Sequence, residues 1–284
     1  MIDIEIIKKV ANKALQAARN VHDQLGAEGE RKINKNQFGD TALKADIETE
    51  EAVLDVLKKY NLPLKVISEE HGIIIIGKEP RYLGILDSID GSGVYMKSRG
   101  VGRYGTMLAI YKGLDPKYND YIYGGIMEHV ANKLYYASKG DGSWLVNEGQ
   151  TQSIHCRSSK QLNKQRSKLY IDAAFDNIFG SHVFDEIVTK LINFNTSFTL
   201  SSCIQYADLA NGAVDGVIEC TRKGNLEIAA AYPLINEAGG VMVTKDAIQL
   251  GESKYNEFGQ KDHFLVFSAC TMGFAKSLLS FINH

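Results

Sequence analysis

A chain of 284 residues that is 44% apolar and 23% charged is long enough to bury a sizeable core and too apolar to be disordered. A net charge of −2, with Lys and Arg scattered, gives no basic field for a phosphate backbone and argues against a nucleic-acid polymer as partner. No run approaches the roughly 18 apolar residues of a membrane span, the acidic N-terminus has no signal-peptide core, and Cys156, Cys203, Cys220 and Cys270 lack CxxC or zinc-type spacing, so a cytoplasmic protein with free thiols and no membrane partner is expected.

In chain order, Ile7, Val10, Ala11, Ala14, Ala18, Val21 and Leu25 recur every three or four positions, which predicts a helix over 4–25 closed by Gly26 and Gly29. A second helix is expected over 47–59, with Val53, Leu54 and Leu57 inward and Glu48, Glu50 and Glu51 near its positive end. The period then shifts. Short β-rich segments at 64–68, 82–86, 106–111, 121–128 and 133–138, mostly too close together for helical crossovers, predict a largely antiparallel sheet. Beyond the polar stretch 153–167 the pattern alternates: strand 169–172, helices 182–192 and 203–210, strand 214–219, helix 228–237, strand 264–268 and a helix from Thr271. The fold class expected is α/β (α+β), in two lobes, 1–152 and 153–284, meeting at a cleft. Gly100-Val-Gly-Arg-Tyr-Gly105 matches a dinucleotide-binding pattern, but a strand-like run follows it instead of a helix, so it reads as a glycine-rich loop between strands.

The stretch LDSIDGSG carries the chemistry. Asp87 and Asp90 close one apolar run, and Glu69 and Glu70 close another, KVISEE. If the two strands are neighbours, their carboxylates meet at one edge and repel unless cations or protons neutralise them. Hard divalent cations suit such oxygen ligands, and Gly91-Ser92 offers backbone amides for an anion beside them. That pairing suggests a phosphate monoester attacked by a metal-activated water, against the plainer reading of aspartates that cap turns. Asp46 stands where a helix begins, as a cap or as a group that orients water. Glu227 stands at another helix start, as a partner of the helix dipole or as a cleft residue, with Ala229, Ala230 and Ala231 allowing close packing behind it.

Four stretches in order, LKADIETE, ISEEHG, LDSIDGS and LEIAAAYPLINEAGG, together with KGDGSWLVN, resemble the magnesium-dependent, lithium-sensitive phosphatases that include inositol monophosphatase, archaeal-type fructose-1,6-bisphosphatases and 3′-phosphoadenosine nucleotidases. The resemblance implies a layered αβαβα sandwich with a smaller mixed C-terminal sheet. It implies two or three Mg²⁺ ions, replaceable by Mn²⁺, on Glu69, Asp87, the Ile89 carbonyl, Asp90 and Glu227. Asp46, Ser92 and Glu69 are the implied catalytic residues, the Gly91 and Ser92 amides the phosphate site, and Ser201, Ser202, Glu219 and Arg222, beside Lys223, the substrate site. It further implies a homodimer and a small phosphate ester as partner: inositol 1-phosphate first, then fructose 1,6-bisphosphate, then a 3′-phosphoadenosine nucleotide. A non-catalytic phosphate-ligand binding protein on the same fold is the alternative of another class. Several positions depart from the family pattern. Glu227 replaces an aspartate, Leu226 a tryptophan, Ser88 a proline and Leu200 a glycine, and GVYMKSRG, with Lys97 and Arg99, is about two residues longer than usual.

Overall fold

In chain order, helix α1 (Ile4–Leu25) and a short hairpin, β1 (Lys32–Lys35) and β2 (Thr41–Leu43), lead into helix α2 (Lys44–Lys59). The computed structural model describes residues 3–173 and 181–283. Strands β3 (Leu64–Ser68), β4 (Gly72–Ile76), β5 (Tyr82–Asp90), β6 (Gly105–Lys112), β7 (Tyr121–Glu128), β8 (Lys133–Ser138), β9 (Gly142–Asn147) and β10 (Gln150–Ile154) form one sheet in the order β10-β9-β8-β7-β6-β5-β3-β4. Every pairing in it is antiparallel except that of β3 with β5.

Between β5 and β6 lies a short helix, α3 (Ser92–Ser98). The glycine-rich 100–105 stretch therefore joins a helix to a strand, where a loop between strands was expected. The chain then crosses through 155–167 into a second sheet. Here β11 (Lys168–Asp172), β12 (Asn195–Thr199), β13 (Gly216–Cys220), β14 (Val241–Thr244) and β15 (Leu265–Ala269) stand in the order β12-β11-β13-β15-β14, with mixed directions. Its helices are α4 (Ser181–Leu191), α5 (Ser202–Ala210), α6 (Leu226–Glu237) and α7 (Met272–Asn283). Helices α1 and α2 cover the outer face of the larger sheet, α5 and α6 lie between the sheets, and α7 packs on β14 and β15. That order is the expected αβαβα sandwich. One apolar cluster runs from Leu83 and Ile85 on β5 through α5 and α6 to Phe274 and Leu278 on α7.

Helix α6 shows why the middle layer fits. From Leu226 to Ile235 every residue is buried, as a helix enclosed on both sides requires. Pro233 has no N–H to give to the Ala229 carbonyl one turn back, and the Tyr111 hydroxyl of β6 donates to that carbonyl instead, at 2.6 Å. Gly124 on β7 faces the proline ring, where any side chain would collide with it.

Helix α1 has the bounds its periodicity predicts, whereas α2 begins three residues early, at Lys44, which places Asp46 inside the first turn. β5 extends four residues past its expected end, to Asp90. β1, β2, β4, β9, β10, β12 and β14 were not anticipated, and α3 forms where the sequence suggested only a loop.

Candidate active site

β3 and β5 are parallel neighbours with Ser68 opposite Leu86, so the strand ends that carry Glu69, Glu70 and Asp87 lie side by side. In a regular strand Asp87 and Asp90, three apart, would face opposite sides of the sheet. The β5–β6 register shifts between them: Asp87 stands opposite Met107 and Asp90 opposite Gly105, three steps on one strand against two on the other. The extra residue is a bulge that re-aims the second aspartate. Gly105 is needed there because a Cβ would run into the Met127 carbonyl. Gly91 follows with φ +91°, a left-handed turn into α3, and passes so close to Ser201 that a Cβ would sit 2.9 Å from its side chain.

The strand ends open into a cleft of about 700 Å³. At its base Asp87, Asp90 and Glu227 each bring a carboxylate oxygen to within 4.8 Å of the others, all three buried. Glu227 reaches the group from the first turn of α6. Burial, then the charges of Glu69, Asp90 and Glu227, push the Asp87 carboxyl well above the usual range. Burial and Glu227 push Asp90 up to about 6, against the Cys203 N–H (2.7 Å) and Ser201 Oγ (2.9 Å) that donate to its Oδ2. Asp87 Oδ1 is buried with no hydrogen-bond partner. Three converging hard-oxygen ligands, one with unused lone pairs, fit a divalent cation of the Mg²⁺ type.

Around this base the walls are charged. Asp46 Oδ2 accepts the Leu43 N–H at 2.8 Å, while its Oδ1 has no partner and burial raises its pKa well above the usual range. One turn along α2, the wholly buried Glu50 accepts from the N–H groups of Glu70 and His71, at 3.1 and 3.0 Å, and pairs with His71 Nδ1 at 2.6 Å, which fixes the turn after Glu69. Burial, then Glu69, push Glu70 up to about 7. Glu69 Oε1 accepts from Lys223 Nζ at 2.8 Å and Asn36 Nδ2 at 3.2 Å. Arg222 is only 14% exposed and lies against Asp172 (2.8 Å), Glu227 (3.3 Å), Glu219 (3.8 Å) and Ser202 Oγ (3.3 Å).

Of the residues singled out by sequence, Asp46, Glu69, Asp87, Ile89, Asp90, Gly91, Ser92, Arg222 and Glu227 line the one cleft. Ser201 lies behind Asp90 and bonds to it. Ser202 and Glu219 lie behind Arg222, with Ser202 Oγ donating to Glu219 Oε1 at 2.7 Å, the Tyr206 hydroxyl bonded to the other oxygen, and Glu219 pushed up to about 8 by burial. Arg99, the residue that follows α3, pairs with Glu30 at 3.2 Å and is not among the lining residues.

The lining also includes Asn36, Phe38, Asp40, Thr41 and His263, which sequence reasoning passed over. NQFGD is an Asx turn in which Asn36 Oδ1 accepts from the N–H groups of Phe38 and Asp40, both at 3.0 Å. Its Asn and Gly were the available signal for a turn, but nothing local ties that turn to a cleft. His263 Nδ1 donates to the Thr221 carbonyl at 2.7 Å.

The layered sandwich, with carboxylates gathered at a bulged strand end between its two sheets, is of the class that metal-dependent phosphomonoesterases use. This chain belongs to the inositol monophosphatase family, whose model matches residues 1–256. It is 28% identical over 255 residues to a fructose-1,6-bisphosphatase/inositol-1-monophosphatase of Methanothermobacter thermautotrophicus, covering 86% of each chain. It is 27% identical over 232 residues to a bifunctional NADP phosphatase/NAD kinase of Methanocaldococcus jannaschii, a match that takes in 73% of this chain and 39% of the relative. The chain thus spans well under half of that longer bifunctional protein. In fold it is similar to the extragenic suppressor protein SuhB of Bartonella henselae, with a TM-score of 0.78, 17% identity and 98% of each chain covered. Among the described residues no helix is long and apolar enough to cross a membrane, and all four cysteines are free thiols.

Proposed function

We propose that this chain is a Mg²⁺-dependent phosphomonoesterase that hydrolyses a small polyol or sugar phosphate, inositol 1-phosphate first. The observation that carries the reading is the convergence of Asp87, Asp90 and Glu227 at a strand end that runs directly into Gly91-Ser92. Asp87, Asp90 and Glu227 would hold the ion, with the Ile89 carbonyl beside them. Bound there, Mg²⁺ supplies a water of lowered pKa and positive charge for the oxygens of the phosphoryl group.

The chain's own groups do the rest. Asp46 Oδ1, unpartnered in the cleft wall, takes the proton of the attacking water, and the Ser92 hydroxyl orients that water. The amides at Gly91 and Ser92 hold the phosphate oxygens. Ser201 Oγ and the Cys203 N–H keep Asp90 Oδ2 aimed, and Arg222 offsets the charge of Glu227 from behind. Because Arg222 is already ringed by acidic groups, the cleft offers it poorly to a second phosphate, which favours a monophosphate over fructose 1,6-bisphosphate. Arg99, paired outside the cleft, gives a 3′-phosphoadenosine nucleotide no support. The match over 86% of the fructose-1,6-bisphosphatase/inositol-1-monophosphatase supports a polyol or sugar ester more than the match over 39% of the bifunctional NADP phosphatase/NAD kinase supports a nucleotide.

To the same proposal belong the division into lobes 1–152 and 153–284, a homodimer, inhibition by lithium and a cytoplasmic location, which the free thiols favour. The test is phosphate release from inositol 1-phosphate, fructose 1,6-bisphosphate, NADP and 3′-phosphoadenosine 5′-phosphate at equal concentration with Mg²⁺. Fastest release from inositol 1-phosphate is the expected result. Faster release from a nucleotide overturns the substrate assignment, and binding without turnover across the panel overturns the enzyme in favour of a phosphate-ligand binding protein.

A further inference from the structure

Glu69, a metal ligand by resemblance, already has a cation in this structure. Lys223 Nζ lies 2.8 Å from Glu69 Oε1 and 2.9 Å from Asp40 Oδ2, a charged bridge across the wall of the cleft. The oxygens that converge on one point are those of Asp87, Asp90 and Glu227, and Glu69 is not part of that group.

The lysine is held in place by its backbone. Lys223, Gly224 and Asn225 have φ values of +46°, +63° and +61°, three successive left-handed residues; glycine and asparagine accept this region, whereas the lysine side chain disfavours it. The turn is tied down from behind: the Tyr255 hydroxyl and Gln260 Nε2 donate to the Gly224 carbonyl at 2.8 and 3.0 Å, and the Asn225 side chain bonds to the Tyr118 hydroxyl. Burial disfavours the ammonium, but the charges of Glu69 and Glu227 outweigh it and hold its pKa above the ordinary lysine value. A strained, anchored turn that presents a permanent positive charge to one carboxylate of an acidic cleft has the character of a functional device.

We infer that Lys223 is a tethered cation that takes the electrostatic place of a divalent ion beside Glu69, so that the cleft holds one divalent ion tightly, at Asp87, Asp90 and Glu227, and any further ion only weakly. The inference rests on the metal-dependent reading above, but concerns how many ions this chain accepts. An ammonium bonded to Glu69 Oε1 offsets the charge that would draw a second ion and repels any ion that approaches it.

The test counts ions without substrate. Metal-free protein is titrated with Mn²⁺, and free Mn²⁺ is read by electron paramagnetic resonance. One tight ion per chain is expected for the wild type and for Lys223→Arg, while Lys223→Met should tighten a second site by about tenfold or more. Glu69→Gln, which should fold even if Lys223→Met does not, is expected to leave the first ion's affinity within about threefold, because Asp40 still holds the ammonium. Two equally tight ions in the wild type, or a first ion weakened about tenfold or more by Glu69→Gln, overturns the inference while sparing the metal site. No Mn²⁺ bound at all overturns the metal-dependent reading itself, and the inference with it.

Discussion

Asp87 and Asp90 are two carboxylic acids buried together at the foot of one cleft, and the fold holds both above the usual carboxylate range. A carboxylate whose folded pKa is raised binds its proton more readily folded than unfolded. Between the two values the metal-free fold therefore loses stability as the pH rises. Asp90 moves from 3.8 to about 6 and Glu70 from 4.5 to about 7, so the part of the penalty these two contribute is absent below about pH 4 and complete above about pH 7. In EDTA the melting temperature should fall across that window, less steeply in Asp90→Asn, and Mg²⁺ should restore it most at the upper end. A wild-type melting temperature in EDTA that falls no more steeply than that of Asp90→Asn contradicts the charge account. Glu50 differs in its partners, for it is a buried carboxylate whose oxygens meet three nitrogens. Glu50→Ala should cost about 2–4 kcal/mol in chemical denaturation, by leaving the Glu70 N–H and the His71 ring without their acceptor, the His71 N–H keeping Ser68 Oγ. At this scale the sequence was most informative: Asp46, Glu69, Asp87, Asp90 and Glu227 were each picked out by residue type at an element end, and the cleft gathers them. Their surroundings were less legible. That Arg222 faces three carboxylates, and that Lys223 meets a glutamate 154 positions away, depends on tertiary contacts that no local pattern carries.

The elements show which physical signals sequence carries. Helix α1, with a polar face and an apolar face, is legible to the residue because its period persists for six turns. The bulge in β5 is not legible, since alternation in a wholly buried strand is absent and one extra residue leaves no mark. Yet the bulge is what puts Asp87 and Asp90 on one side. Gly105→Ala, which forces a Cβ against the Met127 carbonyl opposite the bulge, should cost about 1–3 kcal/mol and lower Mg²⁺ affinity as well as stability. An unchanged Mg²⁺ titration in a folded Gly105→Ala protein would separate the bulge from the site. Tyr111→Phe probes the middle layer alone: it leaves the Ala229 carbonyl beside Pro233 without a donor and should cost about 1–3 kcal/mol in urea with little change in metal binding. Helix α3 was hidden for a different reason. Its seven residues bury only Tyr95, too little for a periodic pattern, and its place is set by the left-handed Gly91.

Across the whole molecule the site is an interface property. The larger sheet supplies Asp87 and Asp90, the helix between the sheets supplies Glu227, and the β1–β2 hairpin brings Asn36, Phe38 and Asp40 to the opening. One apolar cluster spans both sheets, so the two halves of the site are held by a shared core. The order of the four motifs along the chain was enough to expect the αβαβα arrangement, but the composition of the cleft mouth depends on tertiary contacts that no motif carries. The most direct measurement is initial-rate phosphate release from inositol 1-phosphate as Mg²⁺ is added to metal-free wild type, Asp87→Asn and Asp90→Asn, each first shown to be folded. The account predicts release that depends on Mg²⁺ in the wild type and falls by about a hundredfold or more in both variants. Release that needs no divalent cation, or that survives both substitutions, would contradict it.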